Sequence, residues 1–249
     1  MKMLKVLAMD TVFAQGSLAL LEGGQVRAHA TFAGSEGHVV LLPGEIERSL
    51  AHVGWCGRDL DLLAVTVGPG SFTGSRIAMG VAKGFAVALG VPVIGVSTLE
   101  VLVASVEVGE GVSGRKVAAI LDARRGEVYA ALYEVRPGMQ PVPRMPPGAR
   151  DPLLCAKELS LFPLMENEKI ILTGSGLVPY AELFQETLGL RCEMTDPAFW
   201  HLDTVRLGLL AQERMNQPGE LPVEWLEPLY LRRADAKEPA IGNVLAPVG

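Results

Sequence analysis

The sequence predicts an α/β protein of two similar lobes, each a mixed sheet flanked by helices, and three observations predict it. A strand, aspartate turn and strand unit occurs twice: KVLAMDTVFAQGSLALL near the start is echoed by KVAAILDARRGEVYAALYEV, which sets Asp10 against Asp122. Each unit is followed by an apolar strand ending in Gly-x-Gly, VTVGPGS with Gly68 and Gly70, and IILTGSG with Gly174 and Gly176. The two features keep the same order and nearly the same offset, as a duplicated lobe with a cleft between the copies requires. The expected division is one lobe over residues 1–108 and a second over 109–249, with the last segment packing back on the first lobe.

Taken in order, residues 4–10 are a short apolar run and 16–21 a second after a polar break, which together read as a hairpin. After the glycine-rich turn at 22–25, residues 26–32 add a third antiparallel strand. Leu41, Leu42, Ile46 and Leu50 stand at helical spacing and predict a helix over 39–52. Residues 62–67 are a compact strand, followed by GPGSFTG and a long helix to Leu89, which Gly90 is placed to cap. A strand over 91–96 and a helix from Thr98 complete the first half. Proline and glycine in 137–152 predict a loop or extended excursion, not a domain linker, and the tail beyond Arg233 lacks periodicity and reads as loosely held.

Hydrophobic residues make up 49% of the chain, enough for sizeable cores, yet no run approaches the roughly 18 apolar residues of a membrane span. The longest stretch, 84–96, is short and broken by Pro92. The start, MKMLKVLAMDT, runs into a strand pattern and not a signal peptide. A soluble, cytoplasmic protein with no membrane contact is expected. Cys56, Cys155 and Cys192 are far apart and form no CxxC, which suggests neither a disulfide framework nor a zinc site. The formal net charge of −6 argues against a broad phosphate-binding surface, so any nucleic acid must be held by something else.

Asp10 followed by Thr11 at a hairpin tip has the chemistry to orient phosphates or a magnesium-bound water. The residues after it, Val12, Phe13 and Ala14, make a poor phosphate cradle, and the other reading is an aspartate bonding its own turn. Gly68, Gly70, Ser71 and Thr73 lie between a strand and a helix, where free NH groups and the helix dipole attract anions. Ser71 or Thr73 equally serves as a plain helix cap. His29, His38, His52 and His201 form no HxxH, HxxxH or HExxH pair, and no GxSxG elbow occurs, so no catalytic or metal-ligating set emerges.

The helix after GPGSFTG is the most informative element. Ile77, Val81, Phe85 and Leu89 form a bulky row suited to packing on the sheet, whereas Ala78, Ala82, Ala86 and Gly80, Gly84, Ala88 form small rows. Lys83 is its one charge between Arg76 and Gly90, so it lacks the polar outer face of a solvent-covered helix. Two glycines cost about 1 kcal/mol each in a helix, which calls for a compensating contact. That contact is another helix of the same lobe or a partner protein.

The segment AVTVGPGSFTGSRIAMGVAKGFA, supported by LAMDT, VPVIGVSTLE, AAILDARRGEVYAALY and EPLYLR, resembles the TsaB (YeaZ) family of the bacterial tRNA threonylcarbamoyl-adenosine pathway. The resemblance spans nearly the whole chain. It implies duplicated actin-like, ribonuclease H-like lobes, as in sugar kinases, and a non-catalytic subunit of the tRNA modification complex. Such a subunit pairs with the catalytic homologue TsaD, which binds metal through paired histidines, and the small ATPase TsaE joins them. The resemblance further implies tRNA contact only indirectly and no cofactor of its own, with ATP or ADP and a divalent metal entering in the complex, while the exposed apolar helix face suits self-pairing as a homodimer when the subunit is alone. By carry-over, Arg76, Met79, Gly80, Lys83, Gly84 and Val87 form the pairing surface. Ala78 stands where the family commonly has glycine, and the segment around His38 keeps only part of the family pattern. The alternatives are an actin-like ATP-binding phosphotransferase or ATPase, and a glycoprotease-like hydrolase.

Overall fold

The computed structural model describes residues 3–34, 37–106, 114–215 and 226–232. Two five-stranded sheets share one topology. In the first, β1 (Lys5–Asp10), β2 (Gly16–Glu22) and β3 (Gln25–Phe32) form an antiparallel meander, and after helix α1 (His38–His52) strand β4 (Leu62–Thr66) pairs parallel to β1. Helix α2 (Phe72–Leu89) then leads to β5 (Val93–Val96) beside β4, giving the order β3-β2-β1-β4-β5, and α3 (Thr98–Ala104) follows.

The second half repeats this. Strands β6 (Arg115–Arg124), β7 (Glu127–Val135) and β8 (Val142–Arg150) form the meander. They are followed by α4 (Pro152–Ser160), β9 (Ile170–Thr173), α5 (Leu177–Leu188), β10 (Cys192–Met194) and α6 (Thr204–Met215), with sheet order β10-β9-β6-β7-β8. The duplication read from the two echoes therefore extends to every strand.

Strands β1, β2 and β4 of the first lobe are apolar on both faces because both faces are covered. Successive side chains alternate: Leu7, Met9, Leu18, Leu20, Leu63 and Val65 enter a core with α1 and α2, whereas Val6, Ala8, Ala19, Leu21, Leu62 and Ala64 meet α6. In the second lobe Ala118 and Ile120 face α4 and α5, and Val117, Ala119 and Leu121 face α3. Each half thus lends its last helix to the other half's sheet. Gly208 of α6 permits that approach, since a Cβ there would stand 2.3 Å from Leu21 Cδ1.

One expectation is refined and one corrected. Residues 137–152, expected as a loop or extended excursion, carry an extended strand, β8, over 142–150. Its prolines are tolerated because β8 lies at the edge of the sheet and pairs with β7 alone, through a register that shifts twice. The bulky row of α2 is not its central sheet-facing row. Ala78, Met79, Ala82 and Ala86 are the buried residues there, and Ile77, Val81, Phe85 and Leu89 are half-buried at the margin of the same core. Strands already carrying leucine, methionine and valine leave room mainly for alanines, with Met79 the one large side chain among them. Gly90 caps α2 in the left-handed conformation, with φ 68°. The tail beyond Arg233 lies outside the described residues. Among the described residues no helix is long and apolar enough to cross a membrane.

Candidate functional site

The end of β1 is built as a closed joint. Asp10 is 1% exposed and Thr11 fully buried. Thr66 Oγ1 donates to Asp10 Oδ1 at 2.5 Å, and the Val12 N–H donates to the same oxygen at 3.2 Å. Burial pushes the Asp10 carboxyl up to about 6, against the pull of these donors and of His38. Thr11 Oγ1 donates to the Gly74 carbonyl at 2.6 Å and accepts the Ala78 N–H at 3.2 Å, and the Ser71 N–H donates to Val12 O at 3.0 Å. Both side chains are thus buried and bonded within the chain, and they hold the end of β1 to the start of α2.

Asp122 likewise organises its own turn, accepting the Arg124 N–H at 2.8 Å and pairing with the Arg124 guanidinium at 3.2 Å. Ser71 is the cap of α2, its hydroxyl accepting the Gly74 N–H at 3.1 Å. His38 contacts Ala14 O through Nε2 at 3.0 Å and meets Phe32 edge-on. Among the described residues no group of three His, Cys, Asp or Glu side chains comes together to hold a metal. Cys155 and Cys192 are buried and Cys56 is exposed.

The remaining loop candidates separate. Gly68, Gly70 and Ser71 line a cleft of about 750 Å³ between the lobes, facing Arg124, Arg125 and Tyr129 from the β6–β7 side. Thr73 lies in a different groove, of about 410 Å³, with Val39, Arg76 and Gly80. Sequence reasoning named no role for Tyr230 and Arg232, which also line the cleft. Their signal was the EPLYLR string, whose spacing alone does not say what it touches.

On α2, Arg76, Gly80, Gly84 and Val87 share an outward row, with Val87 82% exposed. A Cβ on Gly80 or Gly84 would meet nothing within 4 Å, so no described residue accounts for either glycine. Lys83 is half-buried, and Met79 is buried in the lobe's own core and does not belong to this row. Arg76 is held in place: its Nε donates to the Tyr230 hydroxyl at 3.0 Å, and its guanidinium lies 3.7 Å from the Phe72 ring centroid.

The family model described as TsaD: tRNA N6-adenosine threonylcarbamoyltransferase matches residues 25–240. The tRNA threonylcarbamoyladenosine biosynthesis protein TsaB of Bacillus subtilis is 29% identical over 234 residues, covering 93% of this chain and 96% of that protein. The protein of the same description from Escherichia coli is 39% identical over 131 residues, covering 53% of this chain and 55% of that protein. Among solved structures, YeaZ from Pseudomonas aeruginosa superposes with a TM-score of 0.74 at 28% identity, over 92% of this chain and 100% of that one.

Proposed function

The chain belongs to the TsaB (YeaZ) family, and from that premise we propose that it serves tRNA threonylcarbamoyladenosine biosynthesis in the cytoplasm as a non-catalytic subunit. It pairs through the outer row of α2 with a TsaD-like catalytic subunit, and a TsaE-like ATPase joins the pair. Alone, the same row supports a homodimer. The observation that carries this reading is the pair Gly80 and Gly84: two glycines inside an 18-residue helix, with open space beyond both. Glycines there lower helix stability, and close approach of a second protein's backbone is the compensation.

Two further observations support it. The Thr11 hydroxyl is taken up by the Gly74 carbonyl and the Ala78 N–H, which speaks against its use on the phosphates of ATP. The four histidines, at 29, 38, 52 and 201, include none at metal-ligand spacing, unlike the paired histidines that the resemblance assigns to the catalytic homologue. On this reading ATP or ADP and a divalent metal belong to the assembled complex, and tRNA is met through the other subunits.

The test is light scattering after gel filtration of the chain alone and mixed with its TsaD-like counterpart, with ATPase activity followed in each sample. A new complex and an ATP-inert isolated chain support the proposal. Turnover by the isolated chain without complex formation overturns it in favour of an actin-like ATPase.

A further inference from the structure

Residues 226–232 contain the EPLYLR string, which neither the joint at Asp10 nor the α2 row accounts for. Their contacts fall on both lobes in sequence order. Leu226 is buried in the core of the first lobe, and a Cβ on Gly95 would stand 2.6 Å from its Cδ1, so that glycine leaves the seat open. The Leu229 N–H donates to Val67 O at 2.7 Å, immediately before the GPGS loop. Tyr230 takes the hydrogen bond from Arg76 and tilts against Phe72 at 5.5 Å. The chain then crosses. Leu231 packs on the second lobe's cluster of Leu121, Tyr133 and α3, and Arg232 donates to the carbonyls of Ala123 and Arg124, at 3.2 and 3.4 Å, and pairs with Glu127.

The far anchor is specific. Arg124 and Arg125 have φ of 61° and 57°, the left-handed region that side-chain-bearing residues avoid. Arg232 bonds the carbonyls on either side of the first of them, so it supports a turn that local preference alone would not keep. Anchors at Leu226, Leu229, Leu231 and Arg232 fall within seven residues, which extended span at most about 25 Å.

We propose that residues 226–232 are a clasp that fixes the angle between the two lobes across the mouth of the cleft. Helices α3 and α6 join the lobes through the sheet faces, and two bodies joined in that way alone open and close by hinge motion. The clasp joins them a second time at the loop end, between the GPGS loop and the β6–β7 turn. The chain is thereby held as one rigid body. The inference does not depend on any partner.

Cys56 is exposed while Cys155 and Cys192 are buried, so a spin label on Cys56 and another on Leu190→Cys, a position 89% exposed on the second lobe, report the inter-lobe distance in the full chain. The distance distribution is expected to be narrow in this parent, to broaden in Arg232→Ala and Glu127→Gln, and to stay narrow in Arg48→Ala, a control for loss of a surface ion pair. Amide exchange over 123–127 is expected to be about fivefold to tenfold faster in Arg232→Ala. If Arg232→Ala does not fold, Glu127→Gln, which keeps both carbonyl contacts, decides by the same readout. Distributions as narrow as the parent's in folded variants, with unchanged exchange at 123–127, overturn the clasp.

Discussion

Thr11 and Gly74 are locked against each other: the threonine hydroxyl donates to the glycine carbonyl at 2.6 Å, and a Cβ on Gly74 would stand 1.9 Å from the Thr11 carbonyl oxygen. Glycine is required at residue 74 because the backbone of β1's end occupies that space. Gly74→Ala must push α2 off the sheet, and it is expected to destabilise the chain by about 3 kcal/mol or more, the upper range for overpacking. Urea midpoints check this, and a midpoint within error of the parent's would show the joint to be soft.

Gly80 and Gly84 are the opposite case. With nothing near their Cβ positions, Gly80→Ala and Gly84→Ala are each expected to stabilise the isolated chain by about 1 kcal/mol through helix propensity. The same open space lets Gly84→Arg fold normally while its long charged side chain stands on the outer row. Loss of pairing with a thermal midpoint no lower than the parent's is expected, since arginine, like alanine, is a better helix former than glycine. An unfolded Gly84→Arg would mean that the row is buried within the chain.

The Asp10 carboxyl, raised by burial from 3.8 to about 6, binds its proton more tightly in the native state than in the unfolded chain. Its effect on stability is therefore neutral below about pH 4 and increasingly unfavourable as pH rises from 4 through 6. Asparagine keeps an oxygen for Thr66 and Val12 and carries no charge. Asp10→Asn is expected to gain up to about 3 kcal/mol at pH 7, with the gain vanishing at pH 4. Denaturant titrations at both pH values decide it, and a gain that is independent of pH would rule out the carboxyl's ionisation as its source.

Glu134 runs the other way. Arg144 and Arg136 each reach it with two nitrogens, at 2.9 and 2.5 Å, Lys116 adds a contact at 3.5 Å, and its carboxyl is held down to about 2. That stabilisation is complete above about pH 4.5 and is lost as pH falls toward 2. Glu134→Gln is expected to cost about 2 kcal/mol at pH 7, the scale of hydrogen bonds to charged groups. The parent and variant should converge in acid, and a constant difference down to pH 2 would contradict the assignment.

Much of this fold was legible because its strands are short apolar runs and its punctuation is glycine: β1, the hairpin, α2 and its Gly90 cap all follow from local pattern. Three features were not. β8 hides in a proline-rich stretch, since whether a proline is tolerated depends on the strand's place in the sheet, which is a tertiary fact. The inward row of α2 is alanine because the strands beneath it already fill the volume, and helical periodicity alone ranks the bulkier row higher. Tyr230 and Arg232 sit far along the chain from Arg76 and Ala123, and only the fold brings them together.

The prolines of β8 have one more consequence. Pro143, Pro146 and Pro147 stand on the outermost strand of their sheet, and none has an N–H to offer a neighbour. A sheet border that lacks the donor at three of its nine residues is a poor template for a further strand. On this side, then, the second lobe resists strand exchange and fibrous stacking even in a crowded cell, and any assembly built there must rest on side chains instead of shared backbone.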